Sequence, residues 1–269
     1  MNILSRIAEA FASSNKEGKR GFIPFIVAGD PDLATTEDLL VELSGAGATV
    51  IELGIPFSDP MADGPVIQRA SERALRHKFG LTEVFQVISR ARKSTETPIV
   101  LFSYFNPLLQ FGIQRLAQEA RHAGVDAVLV TDLAPEESGP FARALQAERL
   151  DLIFLVAPTS TDERLRMISE RASGFIYAVS RAGVTGARDE VSLQAKELVA
   201  RVRRISELPV AVGFGISNAQ QVADVWSYAD AAVVGSAIVA EVERLTGSPD
   251  LVLKVGEFTR KLLPPNEMA

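Results

Sequence analysis

The 269-residue chain contains no cysteine and only two histidines, His77 and His122. Without cysteine it can form neither a disulfide nor a thiolate nucleophile, and it cannot bind a metal through sulfur. Both histidines lie in segments with helical periodicity, so neither a histidine-rich metal site nor a serine hydrolase triad is expected. The sequence predicts no metal and no other cofactor.

The sequence also lacks an apolar run of 18 residues and any block of basic residues. The first absence argues against a membrane-spanning helix, and a net charge of −6 argues against nucleic acid or an anionic membrane as a partner. The N-terminal segment predicts an amphipathic helix rather than a signal peptide, because its apolar residues are spaced and acids occur among them. We therefore expect a cytoplasmic protein.

Eight short apolar runs follow one another along the chain, and helical patterns separate them. The runs are nearly continuous in apolar residues, as strands covered on both faces are. Because parallel strands need a crossover that is usually a helix, the pattern predicts an α/β fold: a single-domain (β/α)8 TIM barrel over residues 1–269, with an open doubly wound sheet as the alternative. The predicted strands are Phe22–Ala28, Val50–Ile55, Pro98–Tyr104, Ala127–Asp132, Leu152–Pro158, Gly174–Ser180, Pro209–Gly215 and Ala231–Ala237.

An acid interrupts the second run. Side chains alternate along a strand, so Val50, Glu52 and Gly54 share one face, and the bulky residues of the other face should contact the helices. Glu52 then points into the barrel near its C-terminal end, where barrel enzymes carry catalytic groups. A structural ion pair is the alternative, but none of the eight runs contains Lys or Arg. Since an unpaired buried carboxylate is costly, catalysis is favoured.

A second acid, Asp63, follows in the loop after the same run. It is either part of the same site or the cap of a helix that begins near Val66, and the sequence alone favours neither.

Glycine-bearing loops follow the last three runs, at 180–190, 213–217 and 233–239. In barrels the loops after strands seven and eight, with the N-terminus of a short extra helix, bind phosphate through backbone N–H groups. The segment SAIVAEVERL predicts that short phosphate-binding helix. No lysine lies in a run or at its end, which argues against a Schiff-base aldolase. Carboxylate acid–base chemistry on a phosphorylated substrate remains.

The segments ELGIPFSDPMADGP, VAPTSTDERL, SRAGVTGA, GFGIS and GSAIV together resemble the tryptophan synthase alpha subunit family, over nearly the whole chain. The resemblance implies a barrel lyase that cleaves indole-3-glycerol phosphate to indole and D-glyceraldehyde 3-phosphate in tryptophan biosynthesis. It also implies a beta subunit as the partner, in an alpha2beta2 heterotetramer. A stand-alone lyase that releases indole and a non-catalytic sugar-phosphate-binding barrel are the alternatives, and the presence of Glu52 and Asp63 speaks against the latter.

The resemblance implies a role for each matching residue. Glu52 is the acid/base at the indole carbon and the glycerol hydroxyl, and Asp63 holds the indole N–H. The implied substrate-binding residues are Phe25, Phe102, Leu129, Thr131, Tyr177 and Thr185, and the implied phosphate-binding residues are Gly186, Gly213, Phe214, Gly215, Gly235 and Ser236.

Overall fold

A computed structural model describes residues 5–179, 188–213 and 215–264 of the chain, without the side chains of 188–192. Each of its eight strands pairs in parallel with the next one along the chain, and β8 pairs with β1, so the sheet closes into a barrel. The predicted (β/α)8 barrel is confirmed. The strands are β1 (Gly21–Val27), β2 (Ile51–Gly54), β3 (Ile99–Ser103), β4 (Ala127–Val130), β5 (Asp151–Val156), β6 (Ile176–Val179), β7 (Val210–Gly213) and β8 (Ala231–Val234).

Helices surround the barrel, and two of those predicted occupy special places. The first, α1, precedes β1, and α11 is the short helix expected after β8. No helix within the described ranges combines the length and apolarity needed to cross a bilayer. The helices are α1 (Arg6–Lys16), α2 (Leu33–Gly45), α3 (Pro65–Leu75), α4 (Leu81–Ala91), α5 (Phe105–Phe111), α6 (Ile113–Ala123), α7 (Gly139–Ala147), α8 (Asp162–Arg171), α9 (Arg188–Arg203), α10 (Ala219–Trp226), α11 (Ser236–Leu245) and α12 (Leu251–Leu262).

The core has two layers, and the segment at β2 contributes to both. Ile51 and Leu53 pack in the outer layer between strands and helices, whereas Val50, directly before β2, joins the barrel interior, as the alternation of side chains predicts. Helix α1 closes the N-terminal end of the interior, where the Phe11 ring lies 5.8 Å from that of Phe175. Because that end is filled with side chains, the C-terminal end is the side on which the barrel can receive a ligand.

Candidate active site

Glu52 lies inside the barrel at the middle of β2, between Phe25 of β1 and Val100 of β3 in the strand register. The residue is only 1% exposed, and within the described part of the chain its Oε1 atom has no hydrogen-bond partner. Burial raises the pKa of Glu52 from 4.5 to about 8, since a low-dielectric surrounding disfavours the charged form. The side chain is therefore a neutral carboxylic acid at pH 7.

Asp63 lies in the loop after β2, directly before the start of α3. The N-cap of α3 is Gly64, which has no side chain to offer, so Asp63 is not the helix cap. The Tyr104 hydroxyl accepts a hydrogen bond of 2.8 Å from the N–H of Ala62, the residue directly before Asp63. Burial raises the pKa of Asp63 to about 6, and the nearby Tyr104 hydroxyl opposes that rise. At pH 7 Asp63 is mostly ionised.

Both acids line one cavity of about 150 Å³ at the C-terminal end of the barrel. Seven further sequence-predicted site residues line the same cavity: Phe25, Phe102, Thr131, Tyr177, Gly215, Gly235 and Ser236. Leu129 lies in the barrel interior and not on the cavity wall. Thr185, Gly186 and Phe214 lie outside the described residues.

Two phenylalanines form an apolar wall of the cavity. The rings of Phe25 and Phe102 meet edge to face, with centroids 5.3 Å apart, a favourable aromatic geometry. Gly54 makes room for the first ring, because a Cβ atom at that position would lie 2.5 Å from Cζ of Phe25. The sequence of β2 thus supplies both an acid and the space for the ring beside it.

Tyr177 of β6 enters the cavity from the opposite side of the barrel. Its hydroxyl occupies the space that a side chain at position 213 would fill, because a Cβ atom built on Gly213 would collide with it. Burial, and to a smaller extent the charge of Glu52, raises the pKa of Tyr177 well above its usual value. Tyr177 therefore keeps its proton. The contribution of Gly213 is to leave room for the Tyr177 hydroxyl.

The loop after β7 and the start of α11 form the third side of the cavity. Gly215 has φ +78°, a left-handed conformation that favours glycine. Gly235 is the N-cap of α11, and a Cβ atom there would come no closer than 3.5 Å to a neighbouring atom. The N-terminus of a helix attracts anions through its N–H groups and its dipole. This edge is chemically suited to a phosphate.

Sequence reasoning missed several residues of the site. Leu155, Val179 and Val233 are the inward-facing residues nearest the open ends of their strands, so strand alternation could have found them. Tyr104 is not on the cavity wall but supports it through the Ala62 N–H, and it had no such signal, because its partner lies in a loop about forty residues earlier. The remaining missed wall residues are Ala62, Gly64 and Ile67.

Fold and site together define a (β/α)8-barrel enzyme with two carboxyl groups at the C-terminal mouth of the barrel. The family model of the tryptophan synthase alpha chain matches residues 11–262. A tryptophan synthase alpha chain from Geobacter sp. (strain M21) is 48% identical over 259 residues, which cover 96% of this chain and 97% of that relative. The chain therefore belongs to the tryptophan synthase alpha chain family, lyases that cleave indole-3-glycerol phosphate.

Solved structures agree with this assignment. Subunit alpha of tryptophan synthase from Legionella pneumophila str. Paris superposes with a TM-score of 0.89 at 37% identity, covering 97% of both chains. A chain from the structure of the tryptophan synthase a2b2 complex of the hyperthermophile Pyrococcus furiosus superposes with a TM-score of 0.83 at 39% identity, covering 90% of this chain and 97% of the other.

Proposed function

We propose that Glu52 transfers the protons of the cleavage reaction while Asp63 holds the indole ring. Cleavage breaks the bond between the indole ring and the glycerol phosphate chain. The ring carbon must gain a proton, and the adjacent glycerol hydroxyl must lose one as its carbon becomes the aldehyde. One carboxyl group placed between these two atoms can serve both transfers, because it becomes a base once it has given up its proton.

The different proton states of the two acids carry this proposal. With a pKa of about 8, Glu52 holds a proton at pH 7 and can donate it. With a pKa of about 6, Asp63 is a carboxylate at the same pH and can accept a hydrogen bond from the indole N–H. As the ring carbon is protonated, positive charge develops on the indole nitrogen, and a carboxylate beside it stabilises that charge. Environments that separate two pKa values in this way assign the acid and the base.

The rest of the cavity suits the remainder of the substrate. The Phe25 and Phe102 rings offer an apolar wall for the indole, and Gly215, Gly235 and Ser236 offer backbone N–H groups for the phosphate. Thr131 and Tyr177 line the same cavity. Leu129 and Gly213 act indirectly, by filling the interior and admitting Tyr177. Roles for Thr185, Gly186 and Phe214 rest on the sequence resemblance.

The beta subunit of tryptophan synthase is the partner of an alpha chain of this family. The Pyrococcus furiosus structure is described as the structural basis of mutual activation of the tryptophan synthase a2b2 complex. We propose the same alpha2beta2 assembly for this chain. We also propose a cytoplasmic location, because a doubly charged phosphate ester does not cross a membrane unaided.

Paired substitutions test the assignment of roles. Glu52→Gln keeps the shape of the side chain but removes its transferable proton, so turnover should fall by ~10²–10⁴-fold, the usual contribution of a general acid or base. Asp63→Asn should also lower turnover, and neither change should weaken binding of glycerol phosphate measured by calorimetry. Glu257→Gln on the exposed face of α12 is the control and should act like the wild type. Turnover above about half of the wild-type value in Glu52→Gln would overturn the role of Glu52.

Turnover with and without a saturating beta subunit tests the assembly. We expect at least ~10-fold faster cleavage in the complex, equivalent to roughly 1.4 kcal/mol of barrier. Equal rates in both states would instead favour the stand-alone lyase.

A further inference from the structure

Helices α3 and α11 both begin at the wall of the candidate active site. Gly64 and Ile67, at the start of α3, line the cavity together with Asp63. Gly235 and Ser236 line it at the start of α11. In the proposed function Asp63 holds the indole and the start of α11 binds the phosphate. The substrate therefore spans the two helices, and its fit depends on how they lie relative to each other.

Farther from the cavity, charged side chains connect the same two helices. Glu243, near the end of α11, accepts hydrogen bonds from Nε and Nη2 of Arg69 on α3, at 2.8 and 2.7 Å. It accepts another, at 2.7 Å, from Nη1 of Arg73, one helical turn later on α3. Arg73 also donates from Nε and Nη2 to the buried carboxylate of Asp30 after β1, at 2.8 and 2.9 Å. These four charges join α11 to α3 and α3 to the barrel.

The apolar contact between the helices gives less control over their relative position. The buried side chains that they contribute to their shared cluster are Ala70 and Ala74 from α3 and Val239 from α11. Alanine has no long side chain to interlock with a neighbour, so it opposes a small shift along the helix axis only weakly. A planar guanidinium that donates two hydrogen bonds to one carboxylate fixes direction as well as distance. The ion pairs therefore set the register of α11 against α3.

We propose that Glu243 is a positioning residue, which through Arg69 and Arg73 holds the phosphate-binding start of α11 at the distance from Asp63 that the substrate requires. This rests on the proposed function and extends it to a residue outside the cavity. A shift of one helix leaves each half of the site intact and changes only the distance between the halves. Misplacement by about 1 Å can lower a rate by as much as ~10²-fold.

Glu243→Gln provides the test, because the amide keeps the size of the side chain and removes the charge that both arginines bind. We expect kcat/KM for indole-3-glycerol phosphate to fall ~10-fold, because the two halves of the site are no longer held in register. Glycerol phosphate occupies only the α11 side, so its affinity, measured by calorimetry, should stay within about two-fold of the wild type. Equal losses of kcat/KM and of glycerol phosphate affinity would overturn the proposal.

Glu241→Gln is the matched control on the same helix. Glu241 accepts two hydrogen bonds from Nε and Nη2 of Arg244, at 2.8 and 2.6 Å, but both residues belong to α11, so this pair lies within one helix. The side chain of Glu241 is 16% exposed and that of Glu243 is 29% exposed, so the control removes the more buried charge. Its kcat/KM should stay within about two-fold of the wild type. Equal losses in the two variants would show that Glu243 only supports α11 and would overturn the positioning role.

A double variant identifies the route of the effect. If Glu243 acts by placing the phosphate relative to Asp63, adding Glu243→Gln to Asp63→Asn should lower kcat/KM by less than Glu243→Gln does alone. Full additivity of the two losses would overturn the proposal. Normal turnover of Asp63→Asn would instead overturn the role of Asp63 itself, so the two failures are distinguishable.

Discussion

Each end of the barrel contains a buried acid, but in the part of the chain that the structure describes only the acid at the N-terminal end is paired with basic residues. At the N-terminal end Asp126, 4% exposed, lies 2.5 Å from Nη2 of Arg92 and 3.6 Å from Nη1 of Arg6. It also accepts a hydrogen bond of 2.9 Å from the backbone N–H of Ile99. At the C-terminal end Glu52 is buried still more deeply, and its Oε1 atom has no partner among the described residues.

The comparison separates an acid that supports the fold from one that is available for chemistry. Burial raises the pKa of both, but at Asp126 the charges of Arg92 and Arg6 and the Ile99 N–H oppose the rise. At Glu52 burial acts unopposed, and the pKa reaches about 8. A paired acid stabilises the structure around it, whereas an unpaired acid on a cavity wall lowers stability and gains a proton that it can donate near neutral pH.

Breaking the pair at the N-terminal end should produce the largest change in stability. Arg92→Met leaves Asp126 a buried charge without its nearest partner, and it also removes hydrogen bonds to the carbonyl oxygens of Gly124 and Thr97. Loss of one member of a buried pair typically costs ~3–5 kcal/mol. Urea denaturation should show a drop of this size in the free energy of unfolding, while turnover of the folded enzyme stays within about two-fold.

Arg244→Met is the control for that measurement. Arg244 pairs with Glu241 on the surface of α11, where its side chain is 64% exposed, so its loss should cost less than ~1 kcal/mol. Equal losses in the two variants would mean that the buried pair contributes no more than a surface pair and would undo the comparison.

Removing the acid at the C-terminal end should have the opposite sign. The folded state keeps the proton of Glu52 up to a pH of about 8, whereas the unfolded state releases it near 4.5. The folded state therefore binds more protons between these values, and stability falls as the pH rises through them. Glu52→Gln removes this penalty at the cost of an unpaired amide, so we expect a net gain of roughly 2 kcal/mol at pH 8.

The same variant supplies its own control at pH 4, where Glu52 is mostly neutral in both states. The ionisation penalty is then nearly absent and the cost of the unpaired amide remains, so Glu52→Gln should unfold at a lower urea concentration than the wild type. A variant that is less stable than the wild type at pH 8 would show that Glu52 has a stabilising partner.

The sequence reveals one of these acids more readily than the other. Glu52 is noticeable because it interrupts an apolar run and because no predicted strand contains Lys or Arg. Both observations can be made on the short apolar runs themselves, without knowledge of the fold. The partners of Asp126 come from α1 and from the residue after α4, so only the fold brings them together. The contacts of Tyr104 could not be predicted for the same reason. Helix α5 could not be predicted because it has only seven residues and is separated from β3 by Tyr104 alone. Thr185, Gly186 and Phe214 stay predictions.

The only sequence signal for the proposed phosphate site is its glycines, because the groups that would bind the phosphate are backbone N–H groups. Gly235→Val should raise KM ~10-fold with a small change in kcat, because the new side chain would enter the space over the start of α11. The nearest protein atoms to a Cβ there, on Phe25, lie 3.5 Å away, so the fold should tolerate the change. Gly45→Val, where a Cβ would meet nothing within 4 Å, is the control, and an unchanged KM in Gly235→Val would place the phosphate elsewhere.

The smallest effect should appear in the pH dependence of kcat/KM, and its basic limb is the most informative part. The acid limb combines Asp63 with the substrate phosphate, whose second pKa is also near 6. The basic limb has no such ambiguity, because the phosphate does not titrate near 8 and the pKa of Tyr177 is raised well above 10. If the free enzyme needs Glu52 protonated, kcat/KM should fall to about half near pH 8 and then ~10-fold per pH unit. A profile that stays flat to about pH 9.5 would show that the proton donated to the indole carbon does not come from Glu52.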